Sequence, residues 1–350
     1  MKILLIGGTG FISSKITEFL IEKGHSITLL VRGKTPINFN DSQYVNVIYG
    51  DRHDERLLKE LFNKEKFDVI YDMIAYEPRE TEIVYNAAKG KIGRFIHCST
   101  VSVYMISDDI DTPITEDQWQ RKLMPHFPRN PFGMDYGINK RKIEEYLWSV
   151  HDEKDFPVTA IRPPYVCGPK DPAKRDYFWI QRVLDKKPLL VPGSGDFSSQ
   201  VVFVNDLAKA FVDLLDYPIT IGEAYNVASE EIKTLNEYIS DLSTLIDPSH
   251  SPQLTHIPQE LFDTLPFSYS NEGDVFTFNT RRPAIFSIDK IKKDINFCST
   301  PFDKWMRETI DWFLNIHKGN SNGYSMRNDE IDFINKWQSE YSKLISRVKE

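Results

Sequence analysis

Residues 2–13 read KILLIGGTGFIS, and the rest of the chain is organised around how this stretch folds. An apolar run breaks abruptly into Gly7-Gly8-Thr9-Gly10, and helix-forming sequence follows at once. A buried parallel strand that turns sharply into a helix has this form, and the helix N-terminus then offers backbone N–H groups to a phosphate. Gly7 is read as the tight turn. Gly10 is read as the point where a pyrophosphate approaches the N–H groups of Phe11 and Ile12. The last small position of the usual fingerprint is Ser13 instead of glycine. Many strand–helix turns need glycine for steric reasons alone, so the flanking sequence has to decide.

Working outward, strand-like and helix-like segments alternate. Strands are expected over 2–7, 26–31, 45–49, 67–73, 94–98 and 158–161. Helices are expected over 11–23, around 55–62 and 80–89, and over 136–149. This alternation predicts βαβ units and a Rossmann-type, doubly wound parallel α/β sheet over residues 1–165, with about 200–230 returning to it. The glycines then fall at the carboxyl end of the first strand, where such sheets bind ligands. Prolines and irregular stretches predict a smaller, loop-rich substrate lobe over 166–315, with 249–280 its most loop-rich part. A helical extension is expected over 316–350.

Composition narrows the class. The 350 residues are 41% hydrophobic and 27% charged, ordinary for a globular protein, and the net charge of −8 disfavours nucleic acid and anionic membranes as partners. No apolar run approaches the roughly 20 residues of a spanning helix. The N-terminus lacks a signal-peptide layout, so a cytoplasmic protein is expected. Cys98, Cys167 and Cys298 are far apart and read as buried small residues. The eight histidines lack ligand spacing, so no metal is expected.

Tyr136 and Lys140 lie four residues apart on an expected helix, and so on one face of it. A free phenol, with a pKa of about 10, is a poor base at neutral pH. A neighbouring ammonium favours the phenolate and makes the tyrosine a usable acid/base. The preceding strand ends in Ser99-Thr100, two hydroxyls at the ligand-binding edge of the sheet.

Together GGTGFIS, FIHCSTVSVY, YGINK, IRPPYVCGP and VVFVND resemble the extended short-chain dehydrogenase/reductase superfamily, of the NAD(P)-dependent epimerase/dehydratase type. The resemblance spans about residues 1–210 and weakens through Trp312. It implies a catalytic set of Thr100, four residues before Tyr104, with Tyr136 as acid/base and Lys140 depressing its pKa and holding the nicotinamide ribose. Ser99 is the alternative hydroxyl. Asp51 matches a position that contacts adenine. Arg162-Pro163 and Gly168-Pro169 match the stretch that shapes a sugar pocket. A homodimer is also implied, through the helix carrying Tyr136 and its predecessor.

Departures from the family pattern refine the expectation. NAD-binding members carry an acidic residue after the second strand, which bonds the ribose 2′-OH; this chain has Arg32-Gly33-Lys34, and Arg32 suits a 2′-phosphate. NADP is therefore favoured over NAD. Dehydratases carry adjacent acids after the strand-five hydroxyl, where this chain has Val101-Ser102; epimerases and reductases need none. The usual diphosphate-gripping arginine is replaced by Phe197-Ser198-Ser199-Gln200, and Arg281 and Arg282 are the candidates to bind substrate instead. The expected function is a nucleotide-sugar epimerase working through a keto intermediate, with a nucleotide-diphosphate sugar as substrate. An NADP-dependent carbonyl or keto-sugar reductase is the alternative. A third reading is a non-catalytic NADP-binding or RNA-associated scaffold, because the chain also resembles the chloroplast stem-loop-binding-protein-like branch.

Overall fold

Strand β1 (Lys2–Ile6) has paired neighbours on both edges and is buried from Ile3 onward, which is why its sequence is a continuous apolar run. It leads through the glycine turn into α1 (Phe11–Glu22). Then come β2 (Ser26–Val31), β3 (Val45–Tyr49), α2 (Glu55–Lys64), β4 (Val69–Asp72), α3 (Pro78–Ala88) and β5 (Arg94–Cys98). A short helix α4 (Ser102–Met105), the long helix α5 (Met134–Lys154) and β6 (Val158–Arg162) follow. A seventh strand, Glu223–Asn226, joins the sheet beside β6. All neighbours are parallel, in the order Glu223–Asn226, β6, β5, β4, β1, β2, β3. The order reverses between β1 and β4, so the ligand crevice of this doubly wound sheet opens at their carboxyl ends, Ile6 and Asp72.

This computed structural model describes residues 1–350 except 38, 40–42, 126–132, 155, 271–272 and 280. They divide into two compact units. The first holds 1–166, 201–230 and 286–299; the second holds 167–200, 231–285 and 300–350. One face of the first unit's sheet buries Leu4, Ile6, Ile70 and Phe95 against Ile83 and Val84 of α3 and Ile143 and Leu147 of α5. Each such side chain contributes about 2 kcal/mol by leaving water.

In the second unit the helices Arg175–Leu184, Leu235–Ile246, Phe302–Asn315 and Arg327–Lys349 accompany a two-stranded parallel sheet, Leu189–Pro192 with Leu254–Ile257. Phe178, Trp179, Phe262 and Phe276 meet edge to face in its core. Arg182 is buried and donates through Nε to Glu330 Oε2 at 3.1 Å, with a second, shorter contact from its Nη2. Arg327 joins Glu330 (2.9 Å) to Asp185 (2.8 Å), tying the last helix to the first.

Several details differ from the sequence expectation. The strand Glu223–Asn226 was not anticipated; it is short and bounded by two residues of low β-propensity. The stretch expected to be loop-rich contributes the strand Leu254–Ile257, which is too brief to show alternation. Cys98 and Cys167 are buried, but Cys298 is exposed. Among the described residues, no helix is long and apolar enough to cross a membrane.

Candidate dinucleotide and acid–base site

The glycine turn is closed by a side chain. Ser13 Oγ donates to the Gly7 carbonyl at 2.6 Å and accepts from the Gly10 N–H at 2.9 Å, while Thr17 Oγ1 donates to the Ser13 carbonyl at 2.9 Å. Ser13 therefore does more than tolerate the last small position. Gly7 has φ +87°, and a Cβ there would lie 2.6 Å from Ile74 Cγ2. Gly8 lies against the sheet, where a Cβ would come within 2.4 Å of Leu29 Cδ2. The next two helices of the unit are capped by carboxylates. Asp54 accepts from the N–H groups of Arg56 and Leu57, and Glu80 accepts from those of Tyr76 and Glu77. The first turn of α1 has no acidic residue, so the N–H groups of Phe11 and Ile12 face no negative side chain of their own helix. A turn this tight, with glycine at positions 7, 8 and 10 and without an acid, fits a pyrophosphate.

Arg32 follows β2 and is exposed, and Asp51 follows β3. Asp51 accepts from the His53 N–H at 3.0 Å and contacts His53 Nδ1 at 2.6 Å. These bonds hold its carboxyl below the usual range, with a smaller contribution from Arg32.

At the carboxyl end of β5, Thr100 Oγ1 accepts from the Ser102 N–H at 3.2 Å, which holds its hydroxyl at the sheet edge. Ser99 instead donates its hydroxyl to buried Glu144. Tyr136 and Lys140 occupy one face of α5. The Lys140 side chain is only 2% exposed; Nζ donates to the Cys98 carbonyl at 2.8 Å and lies 5.8 Å from the Tyr136 ring centroid. Burial is the largest influence on this ammonium and pushes its pKa below the ordinary lysine value, opposed in part by Cys98 and Asp72. The first unit thus brings Tyr136 and Lys140 together, with Lys140 bonded to Cys98 two residues before Thr100. Arg281 and Arg282 belong to the second unit, where Arg281 Nη2 pairs with Asp263 at 2.6 Å.

Around this site lies a row of buried charge that the sequence reading missed. Arg52 grips Asp72 with two bonds, 2.6 and 2.8 Å, and donates to the Glu80 carbonyl at 3.0 Å. Burial opposes the charge of Asp72, yet the Arg52 guanidinium keeps its carboxyl below the usual range. His97, opposite Asp72 in the ladder, is fully buried, and both ring nitrogens lack a hydrogen-bond partner among the described residues. Its pKa is pushed down to about 3, mainly by burial and then by Lys140. Arg162 is also closed off: it donates to Glu144 through Nε (2.9 Å) and to the Tyr104 hydroxyl (2.6 Å), which in turn donates to Asn226 (2.7 Å). Its guanidinium joins β6 to α5 and to the Tyr104 hydroxyl. The available signal was a charged or polar residue inside an apolar strand, Asp72 in VIYD and His97 in RFIHC.

Comparison with known proteins gives the family and the fold. Residues 3–228 match the family model described as the NAD dependent epimerase/dehydratase family. The chain is 30% identical over 273 residues to the chloroplast stem-loop binding protein of 41 kDa b of Arabidopsis thaliana, covering 75% of this chain and 67% of that protein. It is 26% identical over 342 residues to a UDP-N-acetyl-alpha-D-glucosaminuronate decarboxylase of Bacillus cytotoxicus, covering 90% and 98%. Its fold matches that of UDP-glucuronic acid 4-epimerase from Bacillus cereus in complex with NAD, with TM-score 0.68 and 20% identity, covering 91% and 100%. With its parallel sheet, glycine turn and matched residues 3–228, the chain belongs to the NAD dependent epimerase/dehydratase family.

Proposed function

We propose that the protein is an NAD(P)-dependent nucleotide-sugar epimerase that works through a keto intermediate. The observation that carries this reading is the pairing of Tyr136 with Lys140, whose ammonium is buried and fixed on the Cys98 carbonyl two residues before Thr100. Gly7, Gly10 and the N–H groups of Phe11 and Ile12 would hold the cofactor pyrophosphate, and Asp51 would hold the adenine. Arg32 supports NADP, because a guanidinium pairs with a 2′-phosphate where an acid would repel it. A bound nicotinamide would supply reversible hydride transfer at the sugar carbon.

The side chains manage the proton. Tyr136 takes the proton of the sugar hydroxyl as the carbonyl forms and gives it back on reduction. Thr100 donates a hydrogen bond to the same oxygen, and Lys140 stabilises the phenolate. Epimerisation is favoured over dehydration because the segment after β5 reads Val101-Ser102, with no acid to expel water. The nearby buried carboxylates, Asp72 and Glu144, are both held by arginines. Arg281 and Arg282 are the proposed diphosphate ligands.

Native mass spectrometry of the purified protein, with UDP- and dTDP-sugars added, tests the reading. A retained dinucleotide and conversion of a sugar to its epimer support it. A freely exchanging cofactor with net reduction of a ketone would show a reductase instead. Absence of cofactor binding, together with a salt-dependent shift of RNA, would show a scaffold and overturn it.

A further inference from the structure

Tyr76 stands in the loop between β4 and α3, at the reversal point of the sheet, and no part of the proposed chemistry uses it. Tyr76 is 54% exposed, an unusual place for a large aromatic residue beside a buried ammonium. The ring lies alongside that of Tyr136, with centroids 6.3 Å apart and planes inclined at 45°. Lys140 Nζ sits 5.4 Å from the Tyr76 centroid and 5.8 Å from that of Tyr136. Two phenol rings thus flank one ammonium, which also donates to the Cys98 carbonyl. The root of Tyr76 is fixed, because its N–H donates to Glu80 Oε2 at 2.6 Å.

A cation beside an aromatic face is attracted by the ring quadrupole, more strongly where water is kept away. We propose that Tyr76 is a positioning residue whose ring holds the Lys140 ammonium, shielded from water, against Tyr136. The proposal rests on the acid–base role of Tyr136 and Lys140 and adds a third side chain to it. Without the ring, water reaches Nζ, screens it from the phenol and weakens its hold on the phenolate. The charged and titratable groups that face Lys140 and Tyr76 from the surrounding elements are Asp72, Arg52, His97, Cys98, Glu144 and Glu80.

Phenolate absorbance titration tests this without substrate or turnover. Subtracting the curve of each protein's Tyr136→Phe counterpart isolates the ionisation of Tyr136. Tyr76→Ala is expected to lower the Tyr136 ionisation constant about tenfold, the strength of a shielded cation–ring contact. Tyr76→Leu, which keeps bulk without a quadrupole, is expected to do the same, and Tyr76→Phe is expected to keep the wild-type curve. An unchanged curve in both Tyr76→Ala and Tyr76→Leu overturns the proposal, as does a Tyr76→Phe curve shifted as far as that of Tyr76→Ala. Thermal melts identify any variant that fails to fold, and the other then decides. If Tyr136 already ionises like a free phenol in the unaltered protein, the acid–base reading itself fails. A depressed Tyr136 that ignores Tyr76 removes only the positioning role of Tyr76.

Discussion

The two units both bury arginine–carboxylate pairs, yet they use them differently. In the first unit, Arg52–Asp72 and Arg162–Glu144 end at the carboxyl edge of the sheet, beside Lys140. In the second, Arg182, Glu330, Arg327 and Asp185 fasten the helix Arg327–Lys349 to the helix Arg175–Leu184, with no titratable group of the proposed chemistry among them. The contrast teaches that a buried ion pair is no marker of a site by itself. What distinguishes the first unit is an ammonium left with aromatic rings and a carbonyl as its contacts, in place of a carboxylate.

Four changes test that contrast. The largest effect is expected from Tyr136→Phe, which removes the proposed acid/base; sugar conversion should fall about 10²- to 10⁴-fold while dinucleotide retention in native mass spectrometry stays the same. Unchanged conversion would refute the role. Next, Glu330→Ala leaves Arg182 and Arg327 facing each other without their shared carboxylate, and chemical denaturation should show a loss of about 3–5 kcal/mol. A loss under 1 kcal/mol would mean that the cluster is well hydrated. Gly7→Ala forces a side chain into a left-handed backbone and against Ile74. It should cost about 1–2 kcal/mol in unfolding and weaken dinucleotide binding in a fluorescence titration.

The smallest change at neutral pH is His97→Phe, whose effect should emerge in acid. His97 has a folded pKa of about 3, below the value of about 6.5 in an unfolded chain. Between these values the unfolded state holds the extra proton, so the stability of the native protein falls as pH drops from about 6.5 toward 3. The variant should flatten that part of the melting-temperature profile; an identical acid slope in both proteins would sink the assignment.

Much of the first unit was legible in the sequence because its signals are local. A strand that is buried on both faces must be apolar, a left-handed turn favours Gly7, and the spacing of Tyr136 and Lys140 places them on one helix face. The rest depends on contacts far apart along the chain. Asp72 meets Arg52 across 20 residues and Glu144 meets Arg162 across 18, and Arg182 meets Glu330 across 148. No period or motif encodes such pairings. Tyr76 was overlooked because a lone aromatic after a strand has many ordinary explanations. Arg162-Pro163 and Gly168-Pro169 matched the stretch that shapes a sugar pocket, but the bond from Arg162 to Glu144 was not legible because Glu144 lies on another element.

Ser13 has a consequence for the thermodynamics of ligand capture. Its hydroxyl ties the two ends of the glycine turn together before anything binds. The conformational entropy of that loop is therefore lost once, during folding, and is not charged again to each encounter with a dinucleotide. A turn made flexible by a further glycine would carry that cost at binding, so Ser13→Gly should slow cofactor association while leaving the contacts of the bound state unchanged.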